Sequence, residues 1–233
     1  MARSPLPSVI AVERGLELAV RINRRARHIS LKVDPAYDHA VLVLPSPRSL
    51  DEGLRFAESR RPWLRAELAK LAPRVAFADG AEIPVRGTPH RVCHRPDGRG
   101  GVWLREGEIH VAGRPEHLPR RLLDWLKAEA RRAFAERVAA YAAALGHEVR
   151  RVSVRDPKSR WGSCARDGGL SFSWRLVLAP PSVLDYVAAH EAAHLVEANH
   201  GPRFWALVAG LHPGHLADRR WLKRHGAGLH RYG

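Results

Sequence analysis

His190-Glu191-Ala192-Ala193-His194 sets two imidazoles four positions apart with a carboxylate beside the first. On an α-helix, positions i and i+4 share a face with Cβ atoms about 5–6 Å apart, so both rings can reach one cation while Glu191 handles a proton next to it. This is the arrangement of metal-assisted hydrolysis. The metal lowers the pKa of a bound water to about 7, and the carboxylate takes its proton as it attacks a carbonyl or phosphoryl centre.

A catalytic metal also needs a third protein ligand and an open position. His200 meets that need once the chain leaves the helix after His194. Asn199 and Gly201 tolerate left-handed backbone, and Pro202 keeps the first helix from running on. Glu197 competes for the same role, but a rigid helix does not easily aim side chains from three consecutive turns at one point, which favours His200. An all-imidazole shell suits zinc among the first-row divalent ions. Without a metal, burying these polar groups unpartnered beside Val183 and Val187 would cost roughly 1–3 kcal/mol each.

The elements around this motif follow from periodicity and punctuation. Ser182 with Asp185 reads as a capping box, so the motif helix is expected over 183–198, with shorter helices from about Pro202 and about His215. Strands are expected over 149–154 and 169–177, joined by a loop carrying Trp161-Gly162-Ser163-Cys164, whose glycine would serve a tight turn. Leu122, Leu126, Ala130, Ala133, Phe134, Val138, Tyr141 and Leu145 recur at spacings of three and four and end at Gly146, which predicts a long backing helix. Upstream, Leu16, Leu18, Val20, Ile22 and then Ile29, Leu31, Val33 alternate as antiparallel strands would, with turns at Asp34-Pro35 and Pro45-Ser46-Pro47. A helical pattern through Leu54, Ala57, Trp63, Leu64 and Leu68 is broken or kinked by Pro62, and a second set of strands occupies 77–111. No internal repeat is visible. The expected fold is α+β: a β-rich region with one helix over 1–114, then a zincin-like metal-binding catalytic domain over 115–233.

With 45% hydrophobic residues in 233, the chain can bury a sizeable core. Its two cysteines are too few for a disulfide framework, and it has neither a membrane-length apolar stretch nor an apolar leader region, so a cytoplasmic setting is expected. The net charge of +15 suggests anionic partners. Only five of the 39 basic residues are Lys, however, and such an Arg bias often reflects coding composition. Locally, Arg150, Arg151, Arg155, Lys158, Arg160, Arg166 and Arg175 face only Asp156 and Asp167. Arginine forks suit phosphate or carboxylate oxygens.

Lys158-Ser159-Arg160-Trp161-Gly162-Ser163-Cys164, Ser173-Trp174-Arg175-Leu176-Val177, the histidine motif, Asn199-His200 and Phe204-Trp205 together resemble the YgjP-like and SprT-like zinc metallopeptidases. The resemblance continues upstream through Arg24-Arg25-Ala26-Arg27 and Phe77-Ala78-Asp79-Gly80, and downstream to Arg219-Arg220-Trp221-Leu222-Lys223. It implies one Zn²⁺ per chain on His190, His194 and His200, with Glu191 as general base acting on a peptide or protein. It also brings a nucleoside triphosphate phosphohydrolase into play, and, through DNA-associated relatives, a weak nucleic-acid association with a structural metal. His212-Pro213-Gly214-His215 departs from the pattern, where an aromatic residue is expected. Metzincins share the histidine spacing but need a Gly at the position of Glu197 and a later methionine turn, and Met1 is the sole methionine here.

Arg160, Ser163, Cys164 and Arg175 are the substrate-binding candidates, set against a reading in which Trp161 and Cys164 pack the core and Arg160 is an anchor. Tyr186, Arg160, Arg175, His212 and His225 are chemically able to stabilise an oxyanion. A thiolate ligand from Cys164 would instead close the metal shell and make the site structural.

Overall fold

Short apolar-alternating runs build two similar sheets before the motif is reached. The structure, a computed structural model, describes residues 9–13, 16–34 and 39–233. It separates into two units, Met1–Pro73 and Arg74–Gly233. The boundary expected at 114/115 falls inside the second unit.

In the first unit, β1 (Val9–Glu13), β2 (Leu16–Ile22), β3 (Ser30–Asp34) and β4 (His39–Leu44) form a sheet in the order β1-β2-β4-β3. The outer pairs are antiparallel, but β2 and β4 are parallel, unlike the all-antiparallel expectation. Alternation reports which face is buried and is blind to strand direction. Of the Asp34-Pro35 turn, Pro35 lies outside the described residues. α1 (Leu50–Ser59) and α2 (Arg61–Ala69) follow, the break placing Pro62 in the first turn of α2, where its missing N–H costs nothing. Leu16, Leu18, Ala40, Ala57 and Leu64 are the core of this unit.

The second unit opens with β5 (Glu82–Val85), β6 (Thr88–Arg95), β7 (Val102–Arg105) and β8 (Glu108–Ala112), ordered β5-β6-β8-β7 with the central β6/β8 pair again parallel. In each unit a 3₁₀ turn, Pro47–Ser49 or Pro115–His117, then leads into a helix. The two units thus repeat a topology that their residues do not advertise.

α3 (Leu118–Ala144) is the backing helix, and Gly146 follows it at φ 69°, the left-handed closure expected of a helix end. Its stripe of Leu122, Leu126, Ala130, Phe134 and Val138 is buried, with the Phe134 ring stacked 4.0 Å from Phe172. β9 (Arg151–Arg155), β10 (Gly162–Cys164) and β11 (Gly169–Ser173) form a third sheet ordered β10-β11-β9, so the expected loop at Gly162 is an edge strand. The strand expected to run to Val177 ends at Ser173 and tightens into a 3₁₀ turn over Trp174–Leu178.

α4 (Pro181–Ala193), α5 (Pro202–Leu211) and α6 (His215–Leu229) complete the chain. The expected capping box does not form. Ser182 Oγ instead donates to Asp218 at 2.8 Å, and Asp185 accepts from Arg137 and Tyr141. Proline in the first turn of α4 does the starting instead.

Candidate metal centre

α4 stops at Ala193, earlier than its apolar pattern suggested, and that early stop makes the site. His190 and His194 sit one turn apart, and the chain turns back through Asn199 so that His200 meets them. One ligand atom from each of the three rings lies within 4.8 Å of the others. His190 Nε2 and His200 Nε2 are 3.1 Å apart. His194 Nδ1 donates to the Glu197 carbonyl at 3.0 Å, which fixes its tautomer and leaves Nε2 with a lone pair for a cation. Glu197 contributes that carbonyl, and its carboxylate accepts from the Asn199 N–H at 3.3 Å, so it is not part of the cluster. Phe204 packs against all three rings at 4.5–4.8 Å.

The donor set and its tautomer fit a divalent cation. Burial, followed by the neighbouring His194 and His200, pushes His190 down to about 4, so its ring is neutral and able to ligate near neutral pH. Cys93, Glu108 and His110 also converge on the second sheet, but there Arg95 Nε donates to His110 Nδ1 at 3.0 Å. His110 Nδ1 is thereby occupied, its Nε2 lies 3.6 Å from Glu108, and Arg95 also donates to Glu108 at 3.4 Å, so an arginine already serves this cluster.

Glu191 is buried beneath β10. A Cβ on Gly162 would lie 2.5 Å from Glu191 Cγ and Oε1, so the glycine is there for close approach and not for the tight turn expected of it. Burial pushes the Glu191 carboxyl up to about 7, against the pull of Arg160. Cys164 shares this side of the strand: burial, then Glu191 and Asp167, raise its thiol, and it stands outside the histidine cluster. Ser163 alternates to the opposite face, with Arg160 at the entry to the strand.

Arg175, expected to bind substrate, is committed to the fold. It is 5% exposed, and its guanidinium holds both Asp156 oxygens at 2.7 and 3.2 Å and the carbonyls of Leu229 and Tyr232 at 3.0 and 2.6 Å. It ties the third sheet to the C-terminus and is not available to substrate. The basic run likewise disperses, since Lys158 also pairs with Asp156 and Arg150 with Asp167. His212, in the departing corner, is held 2.6 Å from Asp218 and 3.5 Å from Asp185, while His215 stacks on Trp205. His225 lies against the Trp221 ring, and His230 is buried on Trp161.

One cation enters this corner that the sequence marks only within the downstream resemblance. Arg219 on α6 lies 4.6 Å over the ring of Trp205, which itself packs 5.8 Å from His190, and its charge reaches both His190 and Tyr186. No spacing rule links 205 to 219 across two helices. Tyr186 is buried 5.9 Å from the His190 ring, and that burial raises its hydroxyl and keeps it protonated.

A crystal structure of the metallopeptidase zymogen of Pyrococcus abyssi abylysin is similar at 20% identity, covering 39% of this chain and 93% of that one with a TM-score of 0.35. No curated protein matches. The model of the YgjP-like metallopeptidase domain matches residues 27–225. The chain therefore belongs to the YgjP-like metallopeptidase family and is a hydrolase of the metallopeptidase type.

Proposed function

We propose that the protein is a zinc-dependent peptidase in which His190, His194 and His200 hold the ion and Glu191 is the general base. The observation that carries this reading is the convergence of three imidazole ligand atoms within 4.8 Å of one another, at the end of a helix whose neighbouring carboxyl, Glu191, is buried. A bound zinc supplies an acidified water and polarises the scissile carbonyl.

The remaining work falls to the chain. β10 is an edge strand that pairs only with β11 among the described residues, so its outer backbone groups can take an extended peptide by strand addition. Glu191 takes the proton of the attacking water and returns it to the leaving amine. Tyr186, kept protonated, and Arg219 are the donors we assign to the developing oxyanion. The two cysteines are free thiols, in keeping with a cytoplasmic setting.

The phosphohydrolase alternative drew on the basic run, and three of its cations, Arg150, Lys158 and Arg175, are engaged by Asp156 and Asp167. A single assay separates the readings. Zinc-loaded protein and its Glu191→Gln variant are given an unstructured protein, with gel readout, and nucleoside triphosphates, with phosphate readout. Cleavage of the protein by wild type only, with nucleotides untouched, is the expected result; Glu191-dependent phosphate release without proteolysis would overturn it.

A further inference from the structure

The third sheet has two faces, and α4 covers one of them. Gly162 and Cys164 turn to that side, toward Glu191. On the other face Ser163, Ser171 and Ser153 stand side by side in register across β10, β11 and β9. Above this row of small hydroxyls is a cavity of about 290 Å³, lined also by Arg151, Arg155 and Arg160. Among the described residues these three guanidiniums make no hydrogen bond or ion pair. The acidic residues of the same segment are turned elsewhere, Asp156 to Arg175 and Lys158, and Asp167 to Arg150. No carboxylate lines the cavity. A polar floor that reaches the substrate edge at Ser163, with Arg151 and Arg155 across the sheet on β9 and Arg160 ahead of β10, all three without an ion-pair partner, calls for an anion from outside.

We propose that this groove is a substrate subsite for carboxylates: a peptide paired with the β10 edge is selected when Asp or Glu side chains on its groove-facing positions reach Arg151, Arg155 and Arg160. The assignment rests on the peptidase reading and adds the substrate class to it. An extended peptide sends alternate side chains to one face about 6.6–7 Å apart, so acidic residues at alternate positions meet the groove in succession. Peptide carboxylates are favoured over nucleotide phosphates because the groove reaches the strand edge at Ser163 and because its cations, Arg151 and Arg155 four residues apart on β9 and Arg160 ahead of β10, are not gathered round one point.

The test uses the full zinc-loaded chain and three unstructured peptides that differ only in flanking Asp/Glu, Ser/Asn or Lys. Wild type should cleave the acidic peptide about tenfold faster than the neutral one, as two exposed charge pairs would give, with the advantage shrinking in salt. The double variant Arg151→Glu/Arg155→Glu should invert the order and prefer the Lys peptide, an outcome that a misfolded protein cannot produce. Equal cleavage of all three overturns the subsite and leaves the peptidase reading intact. Should no peptide be cleaved, binding to the Glu191→Gln variant decides. Salt-sensitive capture of a fluorescent acidic peptide, lost in the double charge swap, upholds the groove and removes the peptidase reading, while absence of capture overturns the groove. Capture of a nucleoside triphosphate in preference to the acidic peptide, abolished by the same swap, overturns it in favour of phosphate.

Discussion

The proposed peptidase reading gives each side chain near the histidine cluster a separable task, and single substitutions should reveal it. His190→Ala should lose bound metal, measured as zinc per chain, because two imidazoles cannot hold a catalytic ion. Glu191→Gln should keep the metal but lower turnover by about 10²–10⁴-fold, the usual worth of a positioned general base. Tyr186→Phe should lower kcat with little change in KM, by up to about 10²-fold if the hydroxyl supports the oxyanion. At this scale the sequence was legible wherever chemistry imposes spacing. His190, His194 and the return to His200 could be read because coordination geometry dictates their spacing. Arg219 could not, since its approach to Trp205 depends on how α5 and α6 cross.

At the level of elements, the site depends on close packing between a helix and an edge strand. Gly162→Ala would drive a methyl into Glu191, so either the carboxyl shifts or β10 lifts. A displacement near 1 Å costs about 10² in rate, and this variant should lose activity to about that extent with zinc content unchanged. Helix existence and type were readable from periodicity, and so was the break at Pro62. Element ends were less so. α4 was expected to run to 198 from a capping box, but Asp218 and Arg137 claim the two capping side chains, and the helix stops at Ala193. That earlier end frees the chain to bring His200 round. Strand direction was also unreadable, and the parallel pairs β2/β4 and β6/β8 that repeat across the two sheets left no mark in the alternation.

Across the molecule, the buried Arg175 gathers sheet and C-terminus. Arg175→Ala should destabilise the protein by about 3–5 kcal/mol in chemical denaturation, because Asp156 and two carbonyls lose their donor together. Asp156 should add an acid limb to the stability curve. Burial is its largest single influence and pushes it up, but the hydrogen bonds and charges of Arg175 and Lys158 outweigh this and hold it below the ordinary carboxylate value. The folded form therefore binds its proton later than the unfolded one. Its contribution is present above about pH 4 and is lost as pH falls through the folded value, so Asp156→Asn should flatten that limb. Chelation of the metal should lower Tm, and zinc should restore it in a concentration-dependent way.

The sequence by itself determined the α+β class, the backing helix, the motif helix and the three histidines that converge in the candidate centre. Each of these rests on local rules: helical period, proline and glycine punctuation, and ligand spacing. Tertiary structure decided what local rules cannot reach. It committed Arg175, offered as a substrate contact, to the fold, and it scattered the basic run into structural pairs and one open groove. It also made Gly162 a matter of clearance for Glu191 and not of turn geometry. In each case the deciding partner lies far along the chain, and charge or size at one position is silent about what will be packed against it.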